Sequence, residues 1–138
     1  MNPDDFKLYH VADFPIVRIR GSLLPHGYAP QWIMEMEALL AHGEPFVFVF
    51  LDSAEHPAHE DQKAQTMWLK AHKKPLALCC RGFVSVEPEH SKRVLKRAQA
   101  VVIAAAFGLH FSVVPDPQQA EVRARQLLAG LDVTDADA

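Results

Sequence analysis

Residues 45–51 read Pro-Phe-Val-Phe-Val-Phe-Leu and are apolar at every position after the proline. A short run of alternating aromatic and β-branched residues predicts a strand, and apolar side chains on both of its faces predict a place inside a parallel sheet. Parallel neighbours are joined by crossovers, usually helical, so the flanking sequence must supply helices. It does so on both sides.

Before this run, residues 8–12 and 14–21 are two short apolar stretches separated by Asp13, with Pro15 suited to a strand start or an edge. Gly21 and the Pro25, Gly27, Pro30 group then predict a loop. The first helix is predicted from Pro30 to His42, with Trp32, Ile33, Met36, Leu39 and Leu40 as its apolar stripe and Gly43 as its stop. After the central strand, the polar stretch 52–57 leads to a second helix at 59–72, with Ala64, Met67, Trp68 and Ala71 inward and Lys73, Lys74 and Pro75 at its end. Residues 76–86 are predicted as the next strand, with a bulge at Gly82. A third helix at 90–107 places Val94, Leu95, Ala98, Val101, Val102, Ala105 and Ala106 toward the core, stopped by Gly108. A last strand at 110–114 and a last helix at 118–128, with Ala120, Ala124, Leu127 and Leu128 inward, complete the order β-β-α-β-α-β-α-β-α. The expectation is a single α/β domain over residues 1–130 with a mostly parallel five-stranded sheet and right-handed crossovers. Residues 131–138 are expected to be a frayed acidic tail.

A chain of 138 residues is long enough to bury a core without staples. Its net charge of -3 comes from tail residues Asp132, Asp135 and Asp137, which leaves a neutral body. No nucleic-acid partner is expected, because such binding needs a basic excess to displace counterions from phosphates. The first residues lack the basic-then-apolar pattern of an export signal, and no apolar run approaches a bilayer's thickness. Cys79 and Cys80 are neighbours pointing to opposite faces of a strand, so a bond between them is not expected, and a reducing cytoplasm is the predicted home.

Phosphate-loop, G-x-G-x-x-G, G-x-S-x-G and C-x-x-C spacings are all missing. No cofactor is expected. His56 and His59, three apart and followed by Glu60 and Asp61, have a spacing that can share a zinc; a solvated loop with acids favoured by the helix dipole is the ordinary reading. Cys79 and Cys80 are read as small buried hydrophobes, with a thiolate pair as the alternative. Lys92, Arg93, Lys96 and Arg97 place like charges four apart with no acid between them. With Arg81 they form a candidate docking patch for an anion or an acidic partner, against the plainer reading of a solvated face. Asp52 and Ser53 follow the central strand, where ligands gather in α/β folds; a turn-forming Asp-Ser is the structural alternative.

Taken together, Ile16-Val17-Arg18-Ile19-Arg20-Gly21, the strand end Phe50-Leu51-Asp52-Ser53, the helix at 65–72 followed by the strand at 76–86, and the strand-helix at 110–128 resemble the STAS superfamily. This is the SpoIIAA-like fold of anti-sigma-factor antagonists, here closest to a bacterial branch. The resemblance covers residues 8–130 by element order and apolar pattern. Regulatory members carry a phosphorylatable serine after the central strand, and Ser53 is the hydroxyl at that place, although Asp52-Ser53-Ala54-Glu55-His56-Pro57 lacks the second serine and the glycine of the family stretch. The resemblance implies a non-enzymatic regulatory or ligand-binding module, with a protein partner or small ligand and a homodimer as options. A small metal-assisted hydrolase using His56, His59 and Asp52 is the alternative, and an apolar, lipid-like ligand in a recess is a further one.

Overall fold

The computed structural model describes residues 1–54 and 57–131. Four parallel strands form one sheet in the order β1-β2-β3-β4: β1 Ile16–Arg20, β2 Phe46–Asp52, β3 Cys80–Val86 and β4 Phe111–Val114. Helix α1 (Ala29–His42) joins β1 to β2, α2 (His59–Ala71) and α3 (Lys73–Cys79) join β2 to β3, α4 (His90–Phe107) joins β3 to β4, and α5 (Pro117–Leu128) follows β4. Among the described residues, no helix is long and apolar enough to cross a membrane.

Because all three crossovers step in the same direction across the sheet, a common handedness brings their helices to one face. The packing agrees. Trp32, Met36 and Leu39 of α1, Trp68 of α2 and Leu76 of α3 meet Phe46, Phe48 and Phe83, with Phe107 of α4 against the same cluster. Among the described residues the other face is covered by α5, where Ala120, Ala124 and Leu127 lie on Val47, Val49, Val84 and Val86. Small alanines let this helix approach the valine face closely. The central run is therefore buried on both sides, with phenylalanines on one face and valines on the other.

Among the described residues the sheet has four strands, not the expected five. Residues 8–12 form only a bridge, in which His10 and Arg18 exchange backbone hydrogen bonds of 2.8 and 3.2 Å. The neighbouring donors are diverted: the backbone N–H groups of Lys7, Leu8 and Tyr9 all donate to the Glu35 carboxylate at 2.8 to 3.2 Å. Glu35 is 1% exposed, and its carboxylate satisfies donors that a strand would have used.

The third strand starts at Cys80, because residues 76–79 belong to α3. Lys73-Lys74-Pro75 begins that helix instead of closing the previous one, since proline in a first turn forfeits no intrahelical bond. The expected bulge at Gly82 is present. Phe46 pairs with Cys80 and Phe48 with Phe83, so β3 carries one extra residue. At Gly82 φ is +151°, and an added Cβ would stand 3.1 Å from the His110 carbonyl oxygen.

The largest departure is α4. Its boundaries are the expected ones, but Val94, Leu95, Val101 and Val102 are 50%, 60%, 70% and 69% exposed, and Ala98, Ala105 and Ala106 are exposed beside them. Ala100 is its buried residue. On α2, Met67 and Ala71 are likewise exposed, and Leu69 packs on the core in their place.

Candidate functional site

The carboxyl ends of β2 and β3 open between the loops after β1, β2 and β4. Asp52, the last residue of β2, is fixed by the loop after β1. Ser22 donates its N–H to Oδ1 at 2.8 Å and its hydroxyl to Oδ2 at 2.7 Å, and the Arg20 guanidinium lies 3.6 Å from Oδ2. Burial alone would raise the Asp52 pKa, but the two Ser22 hydrogen bonds and Arg20 outweigh it and hold the carboxyl below its ordinary range. Gly21 permits this clasp, because a Cβ there would meet the Asp52 carbonyl oxygen at 2.9 Å. With both oxygens already accepting, Asp52 serves as a strap for the strand end and is a poor general base.

The next residue, Ser53, is exposed. The Lys96 ammonium reaches across from α4, 3.1 Å from Ser53 Oγ and 2.9 Å from Glu87 Oε1. Hydrogen bonding from Lys96, ahead of the opposing effect of burial, holds Glu87 below the usual carboxylate range. An ammonium committed to a carboxylate donates to Ser53 and has no lone pair to take its proton, so this pairing does not generate a serine nucleophile.

Residues 52–54 form a ridge between two clefts. On one side a cleft of about 620 Å³ has apolar walls from Leu51, Val86, Pro88, Pro115 and Pro117, and polar groups from Ser53, Glu87, Lys92, Lys96 and Asp116. On the other, a cleft of about 490 Å³ runs past Ser22, His26, Tyr28 and Pro57. Both volumes fall within the range of about 300–1,000 Å³ found for small-molecule sites.

Of the residues proposed from sequence, Asp52, Ser53, Lys92 and Lys96 come together at the larger cleft. Arg93 and Arg97 act as struts: Arg93 Nη1 donates to the carbonyls of Glu87 and Pro88 at 3.0 and 2.7 Å, and Arg97 Nη2 to that of Val113 at 2.9 Å. Arg81 lies near the amino end of β3, at the opposite end of the parallel sheet from Ser53.

His56 lies outside the described residues. His59 starts α2 and borders a separate depression with Lys63, Thr66 and Met67, and it lines neither of the two clefts that Asp52 borders. Asp61, grouped with these histidines in the sequence, is buried and accepts from the N–H groups of Gly27 and Ala29 at 2.8 and 3.1 Å, closing the amino end of α1. Among the described residues there is no cluster of three histidine, cysteine or acidic side chains able to hold a metal. Burial pushes the Cys80 thiol up to about 12, and it donates to the Gly82 carbonyl at 3.4 Å; at neutral pH it is not a thiolate.

A third cavity lies between α2 and α4, over the stacked rings of Phe50, Phe83 and Phe111, with Leu69, Ile103 and Phe107 as walls. It measures about 200 Å³, below the usual range for ligand sites.

Sequence reasoning missed Glu35 and the capping role of Asp61. Glu35 had a visible signal, since it lies three residues after Trp32 and beside Met36 on the apolar stripe of α1, where an acid needs buried donors. No protein-family model, curated protein or solved structure matches the chain.

Proposed function

We propose that this chain is a non-enzymatic, STAS-like regulatory or ligand-binding module, and that its site is the cleft beside Ser53. The observation that carries this reading is the Lys96 ammonium, held between the Glu87 carboxylate and the Ser53 hydroxyl at the mouth of a cleft of about 620 Å³. Lys92 stands on the same rim.

Two lysines beside an exposed hydroxyl suit a phosphoryl group, for which ammonium is an effective point-charge donor. The group has two possible sources, a small phosphate-bearing ligand in the cleft or a phosphoryl ester on Ser53 itself. Either would draw Lys96 away from Glu87, convert the ion pair into a free carboxylate, and so alter the surface between α4 and the β2 end. The four-stranded parallel sheet with its crossover helices on one face supports the STAS-like reading at the level of architecture. The apolar cavity under α4, at about 200 Å³, gives the lipid-like reading less support, and among the described residues His59 and Asp52 line different depressions.

Titration with inorganic phosphate, followed by amide NMR shifts, tests the ligand source. Changes gathered at residues 51–54, 86–92 and 115–117, lost in Lys96→Met, support it. Ser53→Glu tests the ester source by reproducing those changes without phosphate. Scattered or absent changes in both experiments would remove the reading.

A further inference from the structure

The outward face of α4 is unlike a solvated helix surface. Val94, Leu95, Ala98, Val101, Val102 and Ala105 recur at intervals of three and four residues and form one exposed apolar stripe along a helix of 18 residues. From the exposures above, the stripe amounts to roughly 600 Å² of apolar surface, at the upper end for the largest patch on a monomer.

We infer that this stripe is the contact between two copies of this chain, packed α4 against α4 in antiparallel fashion about a two-fold axis at the level of Ala100. Three observations carry this, and the first is shape. An antiparallel copy centred there puts Leu95 opposite Ala105, Val102 opposite Ala98 and Val94 opposite Ala106, so that these three large side chains each meet an alanine, while Val101 falls opposite Gln99. A two-fold contact must be self-complementary, and this alternation satisfies that condition while letting the helices approach closely. A parallel copy would instead set Leu95 on Leu95 and Ala98 on Ala98, alternately overfilled and hollow.

Charge is the second. Antiparallel packing brings the positive amino-terminal end of each helix beside the negative carboxyl-terminal end of the other. The basic residues do not obstruct the contact, because Arg93, Lys96 and Arg97 turn toward their own chain, to the carbonyls of Glu87, Pro88 and Val113 and the Glu87 carboxylate. That orientation also disfavours a membrane surface as the occupant, since helices lying on lipid carry lysines and arginines beside the apolar stripe to reach the headgroups.

Area is the third. Covering the stripe on two copies removes about 1,200 Å², at the lower limit of specific interfaces. A dimer of micromolar strength is therefore expected, not an obligate one.

Sedimentation of the full chain over a concentration series, from about 1 µM to about 500 µM, is the direct experiment. Dimerisation in the micromolar range, with Ala98→Glu weakening it at least about 100-fold at a thermal midpoint unchanged when both chains are measured as monomers, supports the contact. The orientation is tested in a Cys79→Ala background, where Leu95→Cys and Ala105→Cys variants should form a disulfide-linked dimer when mixed and none when oxidised separately. A wild-type chain monomeric throughout, a dimer indifferent to Ala98→Glu, or self-linking of Leu95→Cys would each overturn the inference. Co-sedimentation of the monomer with phosphatidylglycerol vesicles would do so as well.

Discussion

Helices α1 and α4 are both amphipathic crossovers on the same side of one sheet, yet they treat their apolar stripes in opposite ways. Trp32, Met36 and Leu39 of α1 are buried, whereas Val94, Leu95, Val101 and Val102 of α4 face outward. The difference follows from width. The axes of four strands span about 14 Å at the usual spacing, while three helices packed side by side at about 10 Å need about 20 Å between the outer axes. One crossover helix must hang past an edge, and here it is α4 beside the edge strand β4. Its inner side is made of Ala100, Ala104 and Phe107 together with Arg93, Lys96 and Arg97. Amphipathic periodicity thus reports that a face exists, but what covers the face is a matter of position in the fold.

The contrast between the two helices can be broken by mutation. The largest effect is expected in α1, at Trp32, whose indole N–H donates to the Tyr9 hydroxyl at 2.9 Å and whose ring meets Trp68 edge-on at 5.5 Å. Trp32→Ala should cost about 3–5 kcal/mol in urea unfolding. A loss below about 1 kcal/mol would mean that the α1 stripe is no better covered than that of α4.

Next in size is Glu35→Ala, which leaves unanswered the buried N–H of Tyr9 and the part-buried N–H groups of Lys7 and Leu8. A cost of about 2–3 kcal/mol is expected, with faster hydrogen exchange confined first to residues 7–10. Uniform exchange across the chain would show that Glu35 does not specifically tether the N-terminal segment to α1.

Smaller again is the hold that Lys96 gives α4. Because Lys96 lowers the folded-state pKa of Glu87 below the ordinary value of 4.5, the interaction stabilises the fold above that value and its contribution disappears as pH falls through the lowered one. Lys96→Met should therefore reduce stability at pH 7 by up to about 1 kcal/mol and leave the two proteins converging in strongly acidic solution. Stability curves that stay parallel down to about pH 2 would show that the ion pair contributes nothing.

The smallest effect is expected on the outward stripe. Val102→Ser, measured at concentrations where the chain is monomeric, should change stability by less than about 0.5 kcal/mol. A large loss there would show that the exposed face is in fact packed, and the comparison of α1 with α4 would fail.

Much of the fold was legible because local rules operate where burial is unambiguous. The all-apolar run at residues 45–51 became β2, paired on both sides, and the stripe of α1 and the alanines of α5 packed as their spacing predicted. The failures arise where hydrogen-bond partners and helix starts override apolar composition. Residues 8–12 carry strand-like composition, but Glu35, far along the chain, takes the donors that precede His10. Residues 76–79 are apolar and would suit a strand, but they lie in the turns that follow Pro75. At the site, Asp52 and Ser53 were visible as the end of a central strand, and Lys92 and Lys96 as an unusual run of like charge. Their convergence was not visible, because it requires α4 to cross back over the β3 end. Nothing local marked Arg93 and Arg97 as struts to backbone carbonyls, or Asp61 as the cap of another helix.

Backbone preference and apolar period are properties of neighbouring residues, and so the alternation of strands and helices, the double burial of β2 and the glycine bulge in β3 were already written in the order of amino acids. Which side chains end within 3 Å of one another is decided by chain segments many residues apart. Only the assembled sheet, too narrow for the helices on its crowded face, could set Lys96 beside Ser53 and turn the apolar stripe of α4 to the outside.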